Sequence, residues 1–370
     1  VAFLPDLPPK GYKCFAPIEA GSFENPLHID GSAITTPFYT VEFDKNGLIT
    51  RLYDRKNDRE TVQPSKYANL MRMYEDKPMH YDNWDIDCYY TEKFWDVTDV
   101  QRMEWTERGP VRATLEIERK VSRSVICQKI HFYAACPRID FETTVDWKEH
   151  QHLLKAHFPM DVHTDEATFE IQFGNVTRKT HQNTSWDQAR FESCGQKWID
   201  VSEGHYGISL LNDCKYGHSV HNGEMALTLI KSGTKPNPVA DQEMHVFTYA
   251  LYPHAETWRG AETVAQAYFL NQPTRVTNGG TAGETYSLAS VDAKNVILET
   301  VKQAEDGDGV IVRLYECENA RTTTKLHWNR PIASVTECDL QENALCDVPV
   351  EGGAFKFTIK PYEIKTFRIR

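Results

Sequence analysis

The sequence has few features that would suit a membrane or a nucleic-acid partner. No run approaches 18 apolar residues, so no segment is predicted to span a bilayer. The net charge is −12, and a phosphate backbone or an anionic membrane would instead require a basic face. No charged segment followed by an apolar one opens the chain, so no signal peptide is predicted. We therefore expect no nucleic acid and no membrane as partners.

The cysteine pattern excludes two common uses of that residue. There are nine cysteines, an odd number, and no C-x-x-C occurs. A disulfide framework or a cysteine-rich zinc site is therefore not expected, and a reducing compartment fits best. We predict a cytoplasmic location. The chain also begins at Val1 without a methionine, which suggests a piece of a longer protein.

Motifs of the common nucleotide-binding and serine-hydrolase folds are also missing. The sequence has no G-x-G-x-x-G, no P-loop, no alternation of strands and helices, and no G-x-S-x-G elbow. Convincing amphipathic helices are scarce, and the best short candidate is 261–270. A nucleotide-binding fold and nucleophilic serine chemistry are therefore not supported.

Alternation of apolar and polar residues dominates what is present. In 139–147, IDFETTVDW, the odd positions are mostly apolar and the even ones polar, which predicts a half-buried antiparallel strand. The segments around 113–117 and 355–359 repeat the pattern, and short Gly, Pro and Asn turns separate such strands. The predicted fold class is all-β, built from packed sheets.

The length favours two domains, because 370 residues exceed what one core usually absorbs. Gly and polar residues cluster without periodicity at 271–281, which predicts a boundary there. We predict an N-terminal linker or strand segment at 1–30, a large β domain at 31–272, and a small β-sandwich at 282–370.

Two stretches place a tryptophan beside an aspartate: 81–87, YDNWDID, and 183–192, NTSWDQARFE. A sugar presents an apolar C–H face to an aromatic ring and hydroxyl groups to carboxylates, so this pairing suits a saccharide site. The structural alternative is a packed Trp at a strand end with its acid on a backbone N–H. The candidate substrate-binding residues are Asp82, Trp84, Asp85, Asn183, Trp186, Asp187 and Arg190.

Paired carboxylates could also indicate a glycosidase, which uses an acid and a nucleophile on opposite sides of the bond. Asp85 with Asp87, or Asp187 with Glu192, could form such a pair. With 53 acidic residues, however, pairs at this spacing arise by chance throughout the chain. Spacing alone therefore assigns no catalytic residue.

Histidines cluster at His150, His152, His157 and His163, and the first two would share one strand face. No acidic or cysteine ligand follows at a diagnostic spacing, so a solvated strand end is the better interpretation and no metal site is assigned.

Several sequence segments, taken together, resemble the sequence pattern of one protein family. The chain resembles the C-terminal β region of the glycoside hydrolase family 38 α-mannosidases, most closely their bacterial and cytosolic branch. The similar segments are 43–60, 83–87, 137–147, 173–187, 206–218, 249–254 and 299–316.

The resemblance implies a large galactose-mutarotase-like supersandwich followed by a smaller β-sandwich. It also implies a parent enzyme that removes terminal α-linked mannose with retention, assisted by zinc. In that family the nucleophile and zinc ligands lie in an upstream α/β barrel and helical domains, which this chain lacks. His28-Ile29-Asp30 has the letters of the family's zinc pair but not its context. We therefore expect no catalytic residue and no cofactor in this chain.

The expected partners are the missing barrel and helical domains and an α-mannoside oligosaccharide, and homo-oligomers could form. The alternatives are a free-standing carbohydrate-binding β-sandwich module and a pure interface scaffold. An epimerase of the mutarotase kind would need a His and Glu acid–base pair, for which His218, His221 and Glu224 are nominal candidates.

Overall fold

A computed structural model describes residues 6–16 and 24–370. Part of the predicted N-terminal segment 1–30, namely 1–5 and 17–23, therefore lies outside the described residues. In chain order the strands are β1 (Gly11–Lys13), β2 (His28–Asp30), β3 (Ala33–Thr35), β4 (Tyr39–Phe43), β5 (Ile49–Asp54), β6 (Arg59–Glu60), β7 (Leu70–Glu75), β8 (Phe94–Asp96), β9 (Asp99–Arg108), β10 (Arg112–Val121), β11 (Ser124–Tyr133), β12 (Ile139–Asp146), β13 (His152–Pro159), β14 (Glu166–Ile171), β15 (Gly174–Lys179), β16 (Ser193–Cys194), β17 (Trp198–Glu203), β18 (Tyr206–Asn212), β19 (Gly217–His221), β20 (Glu224–Ser232), β21 (Met244–Ala255), β22 (Thr285–Ser287), β23 (Ala289–Val291), β24 (Val296–Gln303), β25 (Val310–Glu316), β26 (Thr322–Trp328), β27 (Val335–Cys338), β28 (Ala344–Val348), β29 (Val350–Glu351), β30 (Ala354–Ile359) and β31 (Ile364–Ile369).

The described residues form two compact units. Unit 1 comprises 24–170 and 176–274, and unit 2 comprises 6–16, 171–175 and 275–370. The helices are α1 (Ser185–Ala189) and α2 (Thr263–Asn271), with a 3₁₀ turn at Cys88–Glu92. Helix α2 lies where the sequence predicts its best helix, at 261–270. The predicted domain bounds, 31–272 and 282–370, stay predictions.

Unit 1 is a stack of antiparallel sheets. Its described residues form a nine-stranded sheet (β15-β14-β17-β18-β21-β12-β11-β10-β9), a six-stranded sheet (β16-β19-β20-β13-β7-β8) and a five-stranded sheet (β2-β3-β4-β5-β6). The two larger sheets share one core, because Phe158 of β13 packs 5.7 Å from Phe141 of β12 and 6.1 Å from Tyr249 of β21, measured between ring centroids. The alternation read at 139–147 appears here as β12, with Phe141 and Val145 buried.

Unit 2 is a smaller sandwich with its own core. Its described strands form a four-stranded sheet (β23-β26-β30-β29), a five-stranded sheet (β24-β25-β31-β27-β28) and the pair β1-β22. Phe355 of β30 lies 4.9 Å from Phe367 of β31, so the core joins the two larger sheets of the unit. The predicted fold class, all-β with a large supersandwich and a smaller β-sandwich, is confirmed.

Candidate functional site

One face of the six-stranded sheet is polar, although it is largely buried. Side chains of a strand alternate between its two faces. On β13, Leu154, Ala156 and Phe158 enter the shared core of unit 1, so Lys155 and His157 point to the opposite face. Two loops lie over this opposite face, and each contains one of the predicted Trp-Asp stretches. We call them loop A (79–92) and loop B (181–194).

Asp82 anchors loop A to the end of β20. The side chain is buried, and its two carboxylate oxygens accept hydrogen bonds from the backbone N–H of Thr234 (2.7 Å) and Lys235 (2.6 Å), the Thr234 hydroxyl (2.8 Å) and the Gln151 amide (3.1 Å). Burial alone would raise the pKa of Asp82, but these donors outweigh it and lower the pKa to about 2. The carboxylate therefore faces the protein and holds the loop in place.

Because of Asp82, the free energy of unfolding of unit 1 should decrease as the pH falls into the acid range. A carboxyl whose pKa falls on folding stabilises the folded state above its unfolded pKa of about 3.9, and this contribution disappears as the pH falls toward 2. We expect Asp82→Asn to lower the free energy of unfolding by about 2 kcal/mol at pH 6. Urea titrations between pH 6 and pH 2 should show that deficit shrinking below pH 4. A deficit that stays constant with pH would contradict this assignment.

The other predicted residues of loop A are exposed. Trp84 is 71% exposed and stacks on Tyr81, with ring centroids 5.5 Å apart and planes inclined by 28°. The backbone N–H groups of Trp84 and Asp85 both donate to the carbonyl of Tyr81, which closes a tight turn. Tyr81 has a positive φ of 50°, a conformation that non-glycine residues adopt rarely and often at functional positions. The turn thus presents an aromatic pair and a carboxylate to solvent.

Loop B is organised by helix α1. Thr184 is the N-cap: its hydroxyl accepts from the Asp187 N–H (3.2 Å), and the Asp187 carboxylate accepts from the Thr184 N–H (3.2 Å) and hydroxyl (2.7 Å). This is a capping box, and the letters T-S-W-D could have predicted it. The Thr184 hydroxyl and the nearby His181 lower the pKa of Asp187. Asp187 therefore orients the helix, and Trp186, which is 75% exposed, projects from it.

Asn183 and Arg190 flank α1 and are exposed to solvent. The structure thus places Trp84, Asp85, Asn183, Trp186 and Arg190 on the surface. Asp82 and Asp187 instead support the two loops from inside.

The two loops meet at a buried lysine that the sequence pattern did not single out. Lys155 is completely buried, and its ammonium contacts the Glu192 carboxylate of loop B, the Tyr90 hydroxyl of loop A (3.1 Å) and the Ser219 hydroxyl of β19 (2.9 Å). Tyr90 also donates to the same oxygen of Glu192, at 3.0 Å. A lysine at an inward position of a strand could have indicated such a centre, since lysine is almost never fully buried unless it is paired.

A second polar group lies beside this centre. His157 contacts Glu224 through Nδ1 (2.6 Å) and the Tyr74 hydroxyl through Nε2 (2.9 Å). Burial lowers the pKa of His157 despite the neighbouring carboxylate, which favours the neutral ring with the proton on Nδ1. Burial likewise raises the pKa of Tyr74 to about 12. His157 is therefore a hydrogen-bond bridge between β7 and β20 at neutral pH.

The epimerase candidates contact different partners. His221 lies opposite Glu224 in the register of β19 and β20, but its Nδ1 contacts the Thr180 carbonyl (3.4 Å). Glu224 binds His157, whereas His218 is fully buried and contacts the carbonyl of Tyr216 through Nδ1 (3.2 Å). Burial lowers the pKa of His218 to about 3, so it stays neutral. A buried neutral histidine cannot exchange a proton with a sugar in solution.

The carboxylate pairs have separate partners. Asp87 accepts from the Tyr89 hydroxyl and the Met79 N–H, while Asp85 lies exposed in the turn. Asp187 caps α1, whereas Glu192 contacts Lys155.

The described residues contain one group of three side chains that could hold a metal ion, namely Asp241, Glu243 and His245, at the surface. His28 and Asp30 lie exposed on β2 and are not part of it. Within the described residues, His28 and Asp30 thus have no third metal-ligating side chain close enough to complete a zinc site.

The architecture matches that of a solved structure. A solved structure of an α-mannosidase from Enterococcus faecalis superposes with a TM-score of 0.75 over 94% of this chain and 43% of that one, at 18% identity. This likeness shows the fold: stacked antiparallel sheets of the kind found in a glycoside hydrolase. No helix in the described ranges has the length and apolar character needed to cross a membrane.

The particular family follows from the sequence. Residues 34–239 match the model of the glycosyl hydrolases family 38 C-terminal domain, and 295–367 match that of the family 38 C-terminal beta sandwich domain. The chain belongs to glycoside hydrolase family 38, as the resemblance predicts, and it carries the family's C-terminal domains.

Curated relatives include alpha-mannosidase G of Dictyostelium discoideum, 34% identical over 97% of this chain, and alpha-mannosidase 2C1 of Mus musculus, 33% identical over 91%. The chain spans about a third of the length of these relatives, 34% and 33% respectively.

Proposed function

We propose that this chain is the non-catalytic C-terminal part of an α-mannosidase that hydrolyses terminal α-linked mannose with retention. The observation that carries the proposal is the pairing of two family 38 C-terminal domains in a chain that spans a third of its α-mannosidase relatives. The nucleophile, the general acid and the zinc ion would then belong to N-terminal domains outside this chain. Nine free cysteines support a cytoplasmic location for the whole protein.

Loops A and B are the surface that we assign to the substrate and to the N-terminal domains. Both loops cover the polar face of one sheet, and Tyr90 of loop A meets Glu192 of loop B. Each loop exposes an indole: Trp84 stacks on Tyr81, and Trp186 projects from the capped helix α1. An exposed aromatic ring on a rigid support can cover the apolar face of a mannose ring or pack into a neighbouring domain.

The test uses the longer mannosidase that contains this chain. Trp186→Ala and Trp84→Ala are each expected to lower kcat/KM about tenfold, because losing one aromatic stacking contact costs about 1.4 kcal/mol in the transition state. The measurement is steady-state hydrolysis of an α-mannosyl disaccharide, with circular dichroism melting as a fold check.

Phe269→Ala is the matched control for those variants. This side chain is also an exposed aromatic, 64% accessible, and it lies on α2 away from both loops in the sequence. We expect its kcat/KM to equal that of the wild type. If both tryptophan variants also keep wild-type kcat/KM and melting temperature, loops A and B do not face substrate or a neighbouring domain.

A further inference from the structure

The Lys155 ammonium is the point at which three separate parts of unit 1 meet. An ammonium group offers three donors and no acceptor. Lys155 directs them to Glu192 of loop B, Tyr90 of loop A and Ser219 of β19. All of the donors are therefore satisfied inside the protein, which a completely buried cation requires.

The apolar contacts around Lys155 join the same two loops. Tyr90 packs against Tyr74 of β7 with an edge-on geometry at 5.1 Å, and Phe191 of loop B lies 6.3 Å from Tyr90, both measured between ring centroids. Ile86 and Phe191 pack on this small cluster from their respective loops. A polar centre and an apolar cover thus share Tyr90 and connect loop A with loop B.

We propose that Lys155 is a positioning residue that sets loops A and B relative to each other and thereby orients Trp84 and Trp186 together. It acts through Glu192 and Tyr90, so its effect reaches both indoles from one buried charge. The consequence for substrate rests on the proposed function, whereas the coupling of the two loops is a property of this chain alone.

A second lysine on the same sheet provides a matched control. Lys231 of β20 binds the Asp76 carboxylate (2.5 Å) and the backbone carbonyl of Asp82. Its partners thus lie at the end of β7 and in loop A, and none of them belongs to loop B. The Lys231 side chain is partly exposed, at 21%, whereas that of Lys155 is completely buried, and only Lys155 joins both loops.

The experiment is ¹⁹F NMR of the 370-residue chain labelled with 5-fluorotryptophan. The sequence contains eight tryptophans, and Trp84→Phe and Trp186→Phe assign the two resonances of interest. Lys155→Met is expected to shift or broaden both resonances, because both loops lose their common anchor. Lys231→Met is expected to change the Trp84 resonance and to leave that of Trp186 in place.

Glu192→Gln keeps the test decisive if Lys155→Met folds poorly. It preserves the shape of the side chain and removes the charge that Lys155 and Tyr90 both bind, so we again expect both resonances to change. If Glu192→Gln, or a folded Lys155→Met, leaves either resonance unchanged, the coupling does not exist. A Trp186 shift in Lys231→Met as large as in Lys155→Met would also overturn the proposal, since a lysine without a partner in loop B would then have the same effect.

Kinetics of the longer enzyme separate the two proposals. Lys155→Met should lower kcat/KM by up to about 100-fold, because displacing positioned groups by an ångström can cost that much. Lys231→Met should cost less, since loop B keeps its place. If both resonances move while kcat/KM stays at the wild-type value, the positioning role stands and the substrate role of the loops is wrong.

Discussion

The isolated 370-residue chain is expected to release mannose from an aryl α-mannoside no faster than buffer alone. Relative to the longer enzyme this is a loss of at least about 10⁶-fold, the lower end of what glycosidases and other enzymes contribute. The reason is chemical: the carboxylates of the two loops are either committed to structural partners, as Asp82, Asp187 and Glu192 are, or stand singly in solvent, as Asp85 does. Retaining hydrolysis needs two free carboxyl groups about 5 Å apart.

The measurement is a continuous release assay with matched molar amounts of the isolated chain and the longer enzyme. Zinc added to the isolated chain should not raise its rate, and a chelator should not change its melting temperature. In the longer enzyme the same chelator should abolish activity. An enzyme-like rate from the isolated chain, with or without zinc, would place the reactive groups in this chain and overturn the proposed division of roles.

Among the substitutions proposed above and here, Phe141→Ala is expected to lower the free energy of unfolding the most. This side chain is completely buried between Phe158 of the facing sheet and Tyr249 of the neighbouring strand, at 5.7 and 5.0 Å between ring centroids. Phe141→Ala removes a ring from the contact between two sheets and leaves a cavity, which costs about 3–5 kcal/mol. For a unit of this size the melting temperature should fall by about 6–20 °C.

Differential scanning calorimetry and urea unfolding measure this effect, with Phe269→Ala as the comparison. Phe269 carries the same ring in an exposed position, so its removal should change the free energy of unfolding by less than about 0.5 kcal/mol. If Phe141→Ala costs as little as Phe269→Ala, the nine- and six-stranded sheets do not share the core described above.

The polar face shows where sequence patterns stop being informative. Alternation places Lys155 and His157 on the same side of β13, but the sequence analysis does not single out Lys155 and predicts a solvated strand end for the histidine cluster that includes His157. Both side chains are instead buried. Loops B and A supply the partners of Lys155 from 37 and 65 residues away in the chain, and β7 and β20 supply those of His157. Local periodicity depends only on residues close in the sequence, so it cannot predict partners at such distances along the chain.

The two Trp-Asp stretches also show this limit of sequence patterns, because the same residue pair has a different structural role in each. Equal letters, W-D, serve different purposes: Asp85 is exposed beside Trp84, whereas Asp187 caps the helix that carries Trp186. Asp82, predicted alongside them, turned inward to bind the end of β20. Residue type alone cannot distinguish an exposed carboxylate that is available to a ligand from one that stabilises a loop through hydrogen bonds.

The amino-acid sequence by itself determined that the protein is all-β, because the alternation of apolar and polar residues along a strand is a short-range pattern. It also determined the family, because many matching sequence segments occur in a fixed order. Tertiary structure decided which polar groups are buried, that loops A and B lie over one sheet face, and that Lys155 joins them. Those outcomes depend on antiparallel pairing between distant strands, such as β7, β13 and β20, which brings together residues that no local pattern relates.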